Sequence, residues 1–407
     1  MVQLALVGIV TAISAMVITW LVTPVVIRFA DWIGAVDVPG ARKIHSTPIP
    51  RIGGVAVFAG FVGAVVVAAA VTDSWPTSQV AAIDWRGLAV AAFGLLLVGL
   101  LDDLRGLSFQ WKFAAQILAA SYVWTCGFSV ESLALPGVGN VELGAMSYFV
   151  TVFWVVAVTN AVNLIDGLDG LAAGSALITC VAMAMIAFGQ GKLGVTAASV
   201  ALAGALLGFL RYNFNPARIF LGDSGSLFLG FVLAVISVRG SQKASAAVAV
   251  LVPLLVLGLP LLDTGLAVSR RLYRLSLRGI HEPGSTMRYV VRNVHHVFLP
   301  DRGHIHHVLV DSGLSHRWAV LALYGLGAGF AGIALAMVSV RAIWFAVGLS
   351  GLLFVSLSAM IYVLYRRGRW WAKDALPSMS ATGAGPNEET TTDGEESNAD
   401  GVAREAS

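Results

Sequence analysis

Five clusters of polar residues in this chain have types and spacings that suit chemistry, and the first pairs two carboxylates. Asp102 and Asp103 end a long apolar segment. Neighbouring residues of a helix point about 100° apart, so we expect one carboxylate to face a cavity while the other binds a neighbouring group. Carboxylates at the C-terminal end of a helix oppose its dipole, which favours a functional pair over two solvated charges.

The second cluster lies in the segment NAVNLIDGLDGL, residues 160–171, in which polar side chains recur at every third position. They are Asn160, Asn163, Asp166 and Asp169. A helical segment would align them along one face, and the glycines that follow would let the backbone turn or approach a ligand. Such an oxygen-rich face suits a hard cation, ribose hydroxyls or a sugar. The alternative interpretation is a loop of ordinary turn residues.

The third cluster is the segment NFNPARIFLGDSGS, residues 213–226, which begins with Asn213 and carries Asp223 directly after a glycine. We expect a helix to start here and to present free backbone N–H groups beside the carboxylate. Such a helix start attracts anions, and Asp223 can hold the Mg²⁺ that a pyrophosphate brings. The alternative is that Asp223 only caps its own helix.

The fourth cluster is the segment PDRGHIHH, residues 300–307, within a stretch that holds five of the eight histidines. Its basic residues are Arg302, His304, His306 and His307. Neither of the two cysteines lies near it, so a zinc site is not expected. Histidine and arginine beside a phosphate-bearing substrate are suited to anion contacts and proton donation. The alternative is a solvated basic loop.

The fifth and weaker cluster is also cationic. Lys43 and His45 lie shortly before the segment PRIGG, residues 50–54. They suit phosphate contacts, and the alternative is a basic loop that only enforces membrane topology.

The apolar segments between these clusters must position them. Of the 407 residues, 57% are hydrophobic and 12% are charged, about half the charged fraction of a typical soluble protein. Eleven segments have the length of full or shortened membrane helices. They cover residues 4–27, 53–71, 87–101, 113–126, 147–162, 170–188, 194–210, 225–238, 244–263, 318–339 and 342–365. The composition therefore predicts an all-α polytopic integral membrane protein with about eleven transmembrane helices. Together with the polar clusters and the distribution of basic residues, it predicts a cytoplasm-facing active-site cleft.

Two regions of the predicted fold are distinguished by composition. Residues 1–366 form the transmembrane domain, with a long cytoplasmic loop at 264–317 that carries the histidine motif. Residues 367–407 have an acidic excess and no apolar periodicity, which predicts a disordered cytoplasmic tail. The net charge of +3 gives no reason to expect nucleic acid as a partner.

The basic residues predict the orientation in the membrane. With eleven spans, 21 of the 26 lysines and arginines fall on the side that includes the 264–317 loop. Basic residues favour the cytoplasmic side, so the N-terminus is predicted outside and the C-terminus inside. Six carboxylates then share cytoplasmic helix ends: Asp102, Asp103, Asp166, Asp169, Asp223 and Asp263.

Together the clusters predict one cytoplasm-facing site for phosphoryl or phosphosugar transfer onto a lipid carrier. Carboxylates would hold Mg²⁺, the cationic segments would contact phosphates, and the apolar walls would hold a lipid. An ion-coupled transporter is the alternative from another class, because intramembrane carboxylates also mark proton and ion pathways. Transporters place such groups near the bilayer midplane, whereas here they lie at one surface.

The motifs carry a family resemblance. Asp102-Asp103, NAVNLIDGLDGL, FLGDSGSLFLG at 220–230 and DRGHIHH at 301–307 resemble the polyprenyl-phosphate N-acetylhexosamine-1-phosphate transferases. The match extends from about residue 20 to 365 and is nearest to the bacterial undecaprenyl-phosphate GlcNAc-1-phosphate transferases. It implies transfer of GlcNAc-1-phosphate from UDP-GlcNAc to undecaprenyl or decaprenyl phosphate, with release of UMP, as the first membrane step of cell-envelope polymer synthesis. The muramoyl-pentapeptide branch is the main alternative.

The resemblance also implies roles for residues. Asp223 matches the family's magnesium ligand, with Mn²⁺ as a substitute ion, and Asp102 and Asp103 match a pair that supports the metal or activates the lipid phosphate. Catalytic roles are further implied for Asp166, Asp169, His304, His306 and His307. Substrate-binding roles are implied for Lys43, His45, Asn160, Asn163, Asn213 and Arg302. The expected partners are UDP-GlcNAc, the polyprenyl phosphate, the bacterial inner membrane and a second copy of the chain as a homodimer.

Two mechanisms fit such a site. A phosphate monoester has a second pKa near 6, so the lipid phosphate is mostly a dianion at neutral pH and needs little help from a base. We expect it to attack the β-phosphate of UDP-GlcNAc directly, with Mg²⁺ on the diphosphate. The alternative is a covalent aspartyl-phosphate intermediate.

Overall fold

The computed structural model of the chain describes residues 2–39, 47–71, 85–135, 139–241, 252–280, 289, 292 and 304–339. These residues form a helical bundle with two short antiparallel strand pairs. The helices are α1 (Val2–Ile33), α2 (Gly54–Val71), α3 (Trp85–Arg105), α4 (Phe109–Thr125), α5 (Met146–Ile165), α6 (Leu171–Gly189), α7 (Leu193–Asn213), α8 (Gly222–Ser241), α9 (Gly258–Ile280), α10 (Ile305–Asp311) and α11 (His316–Ser339). The strands are β1 (Val36–Asp37), paired with β2 (Ile49–Pro50), and β3 (Ser132–Leu135), paired with β4 (Gly139–Glu142).

Seven of the described helices are long and apolar enough to cross a membrane, namely α1, α3, α5, α6, α7, α8 and α11. Helix α2 adds the shorter apolar segment Gly54–Ala68. The predicted all-α polytopic membrane fold is therefore confirmed. The count of eleven spans stays a prediction, because residues 242–251 and the predicted span at 342–365 lie outside the described residues. The predicted tail at 367–407 lies outside them too.

The boundary predicted at residue 263 is wrong. Helix α9 begins at Gly258 and continues to Ile280, so the first part of the predicted 264–317 loop is helical. Hydropathy falls where Arg270 and Arg271 enter the sequence, but a helix continues for as long as one of its faces can pack. The side chain of Arg270 is itself buried.

Helix α8 lies at the centre of the bundle and carries large, fully buried side chains such as Phe228 and Phe231. Its N-terminus is approached closely by two other helices at glycines. A side chain at Gly99 of α3 would overlap the backbone of Asp223 and Ser224, and one at Gly54 of α2 would overlap Gly225. Small residues let membrane helices approach backbone to backbone. The close approach brings the end of α3 against the start of α8, where the first and third clusters meet.

Candidate active site

A cavity of about 590 Å³ lies at the end of the bundle where α3 and α5 end and α6 and α8 begin. Carboxylates, amides and basic side chains dominate its wall. The polar lining residues are Asp37, Thr47, Arg51, Asp103, Asn163, Asp166, Asp169, Asn213, Asn215, Asp223, His307 and His316. Residues from four of the five sequence clusters therefore meet in one space.

Asp103 joins the end of α3 to the start of α8. Its Oδ1 accepts a hydrogen bond from the backbone N–H of Asp223, and its Oδ2 accepts one from the N–H of Ser224, both at 2.9 Å. The carboxylate thus caps α8 from another helix, where the helix dipole favours negative charge. The guanidinium of Arg51 donates to the Asp103 carbonyl and holds the same corner.

The expectation of free N–H groups at the start of α8 is wrong for Asp223 and Ser224. The Asp103 carboxylate occupies the N–H groups of Asp223 and Ser224, so neither is available to a pyrophosphate. The close approach of α3 at Gly99 brings the capping carboxylate within reach.

Asp102 and Asp103 diverge, as helix geometry predicts. Asp102 is buried, and its Oδ2 lies 2.7 Å from the Lys112 ammonium at the start of α4. Its other oxygen accepts from the Leu107 N–H, which closes the turn between α3 and α4. Asp103 lines the cavity and Asp102 does not.

Asp223 lines the cavity and is oriented by α5. The Asn163 amide donates to Asp223 Oδ1 and, at 2.8 Å, to the Ser226 hydroxyl one turn further along α8. Lys112 lies 3.5 Å from Asp223 Oδ2, so one ammonium faces both Asp102 and Asp223. Sequence reasoning gave Lys112 no role, although its place ten residues after Asp102 and directly after a short turn could have indicated one.

Asp166 follows the last residue of α5 and faces the cavity. Burial and, after it, the charges of three neighbouring carboxylates raise the pKa of Asp166 to about 8. These neighbours are Asp223, Asp103 and Asp169. At neutral pH the Asp166 carboxyl is therefore mostly protonated, and a cation bound beside it would favour its ionised form.

The prediction that the second cluster shares one helical face is wrong. A step of three residues turns a helix by about 300°, so the face drifts by about 60° at each step. Asn160 therefore points to α4, where its amide pairs with Gln116, and it is absent from the cavity wall. Helix α5 then ends at Ile165, so the last two residues of the cluster lie in a turn.

Asp169 ties this turn to the segment before α8. Its Oδ2 accepts from the Asn215 amide at 2.8 Å and from the Ala217 N–H at 3.0 Å. Asn213 closes the same segment by donating to the Ile219 carbonyl at 2.9 Å. Both residues line the cavity, but these hydrogen bonds give them a part in shaping it.

The three histidines of the fourth cluster separate. His307 lines the cavity, whereas His304 and His306 are 5% and 2% exposed and lie behind it. Burial, followed by the charge of His307, lowers the pKa of His306 to about 3, so this ring is neutral. Of the three histidines expected near a diphosphate, His307 is therefore the one that lines the cavity.

Three predicted residues lie outside the described part of the chain: Lys43, His45 and Arg302. Sequence reasoning did not single out His316, which begins α11 and lines the cavity. It counted Asp263 among the six carboxylates but assigned it no partner, because its contact to His304 crosses 41 residues.

The donor set fits a hard cation that arrives with its own ligands. Among the described residues, no three His, Cys, Asp or Glu side chains are placed as a ready metal cluster. Mg²⁺ is commonly bound by one or two carboxylates together with phosphate oxygens and water. Asp166 and Asp223 supply two carboxylates on one cavity wall.

The chain is similar to known proteins over most of its length. The family model for glycosyl transferase family 4 matches residues 85–241, which carry the first three clusters. The chain is 38% identical over 320 residues to the probable undecaprenyl-phosphate N-acetylglucosaminyl 1-phosphate transferase of Bacillus subtilis, covering 78% of this chain and 82% of the relative. It is 39% identical over 344 residues to the decaprenyl-phosphate N-acetylglucosaminephosphotransferase of Mycobacterium tuberculosis, covering 79% of each.

A second branch matches over a shorter stretch. The phospho-N-acetylmuramoyl-pentapeptide-transferase of Geobacillus kaustophilus is 37% identical over 204 residues, covering 46% of this chain and 60% of the relative. The resemblance inferred from the motifs is thereby confirmed. This multi-pass membrane chain belongs to the polyprenyl-phosphate N-acetylhexosamine-1-phosphate transferases of glycosyl transferase family 4.

Proposed function

We propose that the chain transfers GlcNAc-1-phosphate from UDP-GlcNAc to undecaprenyl or decaprenyl phosphate and releases UMP. The observation that carries the proposal is the cavity itself, in which Asp166, Asp223 and His307 face one space at the end of an apolar bundle. The GlcNAc-specific relatives match about four fifths of the chain, whereas the muramoyl-pentapeptide relatives match less than half of it. This difference favours GlcNAc over the muramoyl-pentapeptide donor.

The main physical problem for this reaction is charge. Two unit charges 4 Å apart repel by about 4 kcal/mol at an effective dielectric constant of about 20, and a phosphate dianion must approach a charged diphosphate. We propose that Asp223 and Asp166 hold Mg²⁺, which when bound neutralises the diphosphate. Asn163 orients Asp223 for this purpose, and Lys112 places a cation beside it.

The positions of Asp102 and Asp103 favour direct attack over a covalent intermediate. Both oxygens of Asp103 accept backbone hydrogen bonds, and Asp102, which does not line the cavity, is paired with Lys112. In the direct route, an oxygen of the lipid phosphate bonds to the β-phosphorus of UDP-GlcNAc. The bond from that phosphorus to the bridging oxygen breaks, and UMP leaves with the electron pair.

We also propose that the cavity faces the cytoplasm and that the N-terminus lies outside. The excess of basic residues on the cavity side supports this orientation.

The donor is tested with purified protein, Mg²⁺, undecaprenyl phosphate and a panel of UDP-sugars. We expect UMP release to be fastest with UDP-GlcNAc, because the relatives that match most of the chain carry that specificity in their names. Faster release with UDP-N-acetylmuramoyl-pentapeptide would move the chain to the other branch.

The metal assignment is tested by Asp223→Asn, which keeps the size of the side chain but removes its charge. Loss of a direct metal contact is expected to lower turnover at least tenfold, or about 1.4 kcal/mol, in the same UMP assay at saturating Mg²⁺. Asp31→Asn is the control, because Asp31 is an exposed carboxylate on α1. If Asp223→Asn keeps more than about a tenth of wild-type activity, the ligand assignment is wrong.

The orientation is tested with two single cysteines in a chain whose Cys126 and Cys180 have been changed to alanine. Ser108 precedes α4 at the cavity end, and Glu131 follows the other end of this helix, which is 17 residues or about 26 Å long. Ser108→Cys is expected to react with a membrane-impermeant thiol reagent only from the cytoplasmic side, and Glu131→Cys only from outside. The reverse pattern would invert the proposed topology, and labelling of both from one side would contradict the span assigned to α4.

A further inference from the structure

Asp263 is a carboxylate that the proposed reaction does not use. It lies in α9 with only 3% of its surface exposed, yet both of its oxygens are bonded. Oδ1 accepts from the Ile305 N–H at 2.6 Å, and Oδ2 lies 2.8 Å from His304 Nδ1. A buried carboxylate is costly unless it is paired, and here both partners belong to the histidine motif.

The helix that Asp263 contacts is too short to be stable without tertiary contacts. Helix α10 has seven residues, and isolated helices shorter than about 12 residues are marginal in water. Its N-terminus needs partners for its N–H groups, and His304 makes no side-chain cap at that position. The Asp263 carboxylate supplies one partner from a neighbouring helix.

A row of packed histidine rings connects His304 to His307, which lines the cavity. The His304 and His306 rings are stacked, with centroids 5.6 Å apart and planes at 14°. The His306 and His307 centroids are 4.3 Å apart, and His306 packs directly against Gly167, beside Asp166. Within the described residues, neither ring nitrogen of His306 has a hydrogen-bond partner, so packing rather than hydrogen bonding places this ring.

We propose that Asp263 is a positioning residue that, through His304 and Ile305, holds α10 in place so that His307 faces the reaction cavity. The effect on turnover rests on the proposed function, whereas the effect on α10 does not. Asp263 does not line the cavity, and its hydrogen bonds go to His304 and Ile305 of the histidine segment.

The kinetic test asks whether Asp263 acts through His307. Asp263→Asn removes the charge opposite His304 and is expected to lower kcat about tenfold, the size of one charge-assisted hydrogen bond, in the UMP assay. In a His307→Ala background, the same substitution is expected to cost less than about twofold, because the residue it positions is already gone. Asp311→Asn, an exposed carboxylate on the same short helix, is the control and should match wild type.

A general structural role would give a different result. Equal fold losses in the wild-type and His307→Ala backgrounds would show that Asp263 acts independently of His307 and would overturn the proposal. A loss below about twofold in the wild-type background would overturn it as well. If Asp263→Asn does not yield folded protein, His304→Phe is tested in its place. The phenylalanine keeps a ring stacked on His306 but removes the nitrogen that faces Asp263.

Hydrogen exchange separates this proposal from the proposed function. The Asp263 substitution is expected to speed amide exchange in residues 304–311, with no change in the exposed turn at 106–108. If wild-type protein releases no UMP from UDP-GlcNAc, the proposed function fails, while the exchange result still decides whether Asp263 holds α10. Unchanged exchange in residues 304–311 would overturn the positioning role whatever the enzyme's activity.

Discussion

The two hydrogen bonds from the start of α8 to the Asp103 carboxylate fix the geometry on which the rest of the site depends. They join the end of α3 to the start of α8, and the missing side chain at Gly99 leaves room for this contact. The backbone N–H of Asp223 is bound by Asp103, and the amide of Asn163 in α5 then sets the direction of the Asp223 side chain. Helices α3, α5 and α8 therefore meet at Asp223, and a shift of any of them would displace its side chain.

The meeting of these helices brings the carboxylates of Asp103, Asp166, Asp169 and Asp223 close enough to repel one another. Asp166 has a pKa of about 8 because it is buried beside three others. The helix start favours the charge on Asp103, and Lys112 offsets the charges of Asp102 and Asp223. The remaining negative charge faces the cavity, where a substrate-borne cation would be stabilised. We propose that a cation bound here with its diphosphate relieves this repulsion.

Local sequence patterns predicted the helical membrane fold, the divergence of Asp102 and Asp103 and the gathering of polar clusters at one end. They did not predict partners that are distant in the sequence. Asn160 pairs with Gln116, 44 residues away, and Asp169 with Asn215, 46 residues away. A period of three residues suggests one face for this cluster, but the face drifts and the helix ends, so each side chain meets a different neighbour. Hydropathy likewise missed the continuation of α9, whose buried face follows no simple apolar run.

We propose that Asp103 holds α8 in place rather than attacking the diphosphate, so that both substrates must be bound before a phosphorus–oxygen bond breaks. The most direct measurement is the exchange of labelled UMP into UDP-GlcNAc by wild-type enzyme with Mg²⁺ but no lipid phosphate. Direct attack predicts no exchange and no burst of UMP until the lipid phosphate is added. A stoichiometric burst of UMP without lipid phosphate, together with lipid-independent exchange, would rule out direct attack and require a covalent aspartyl intermediate.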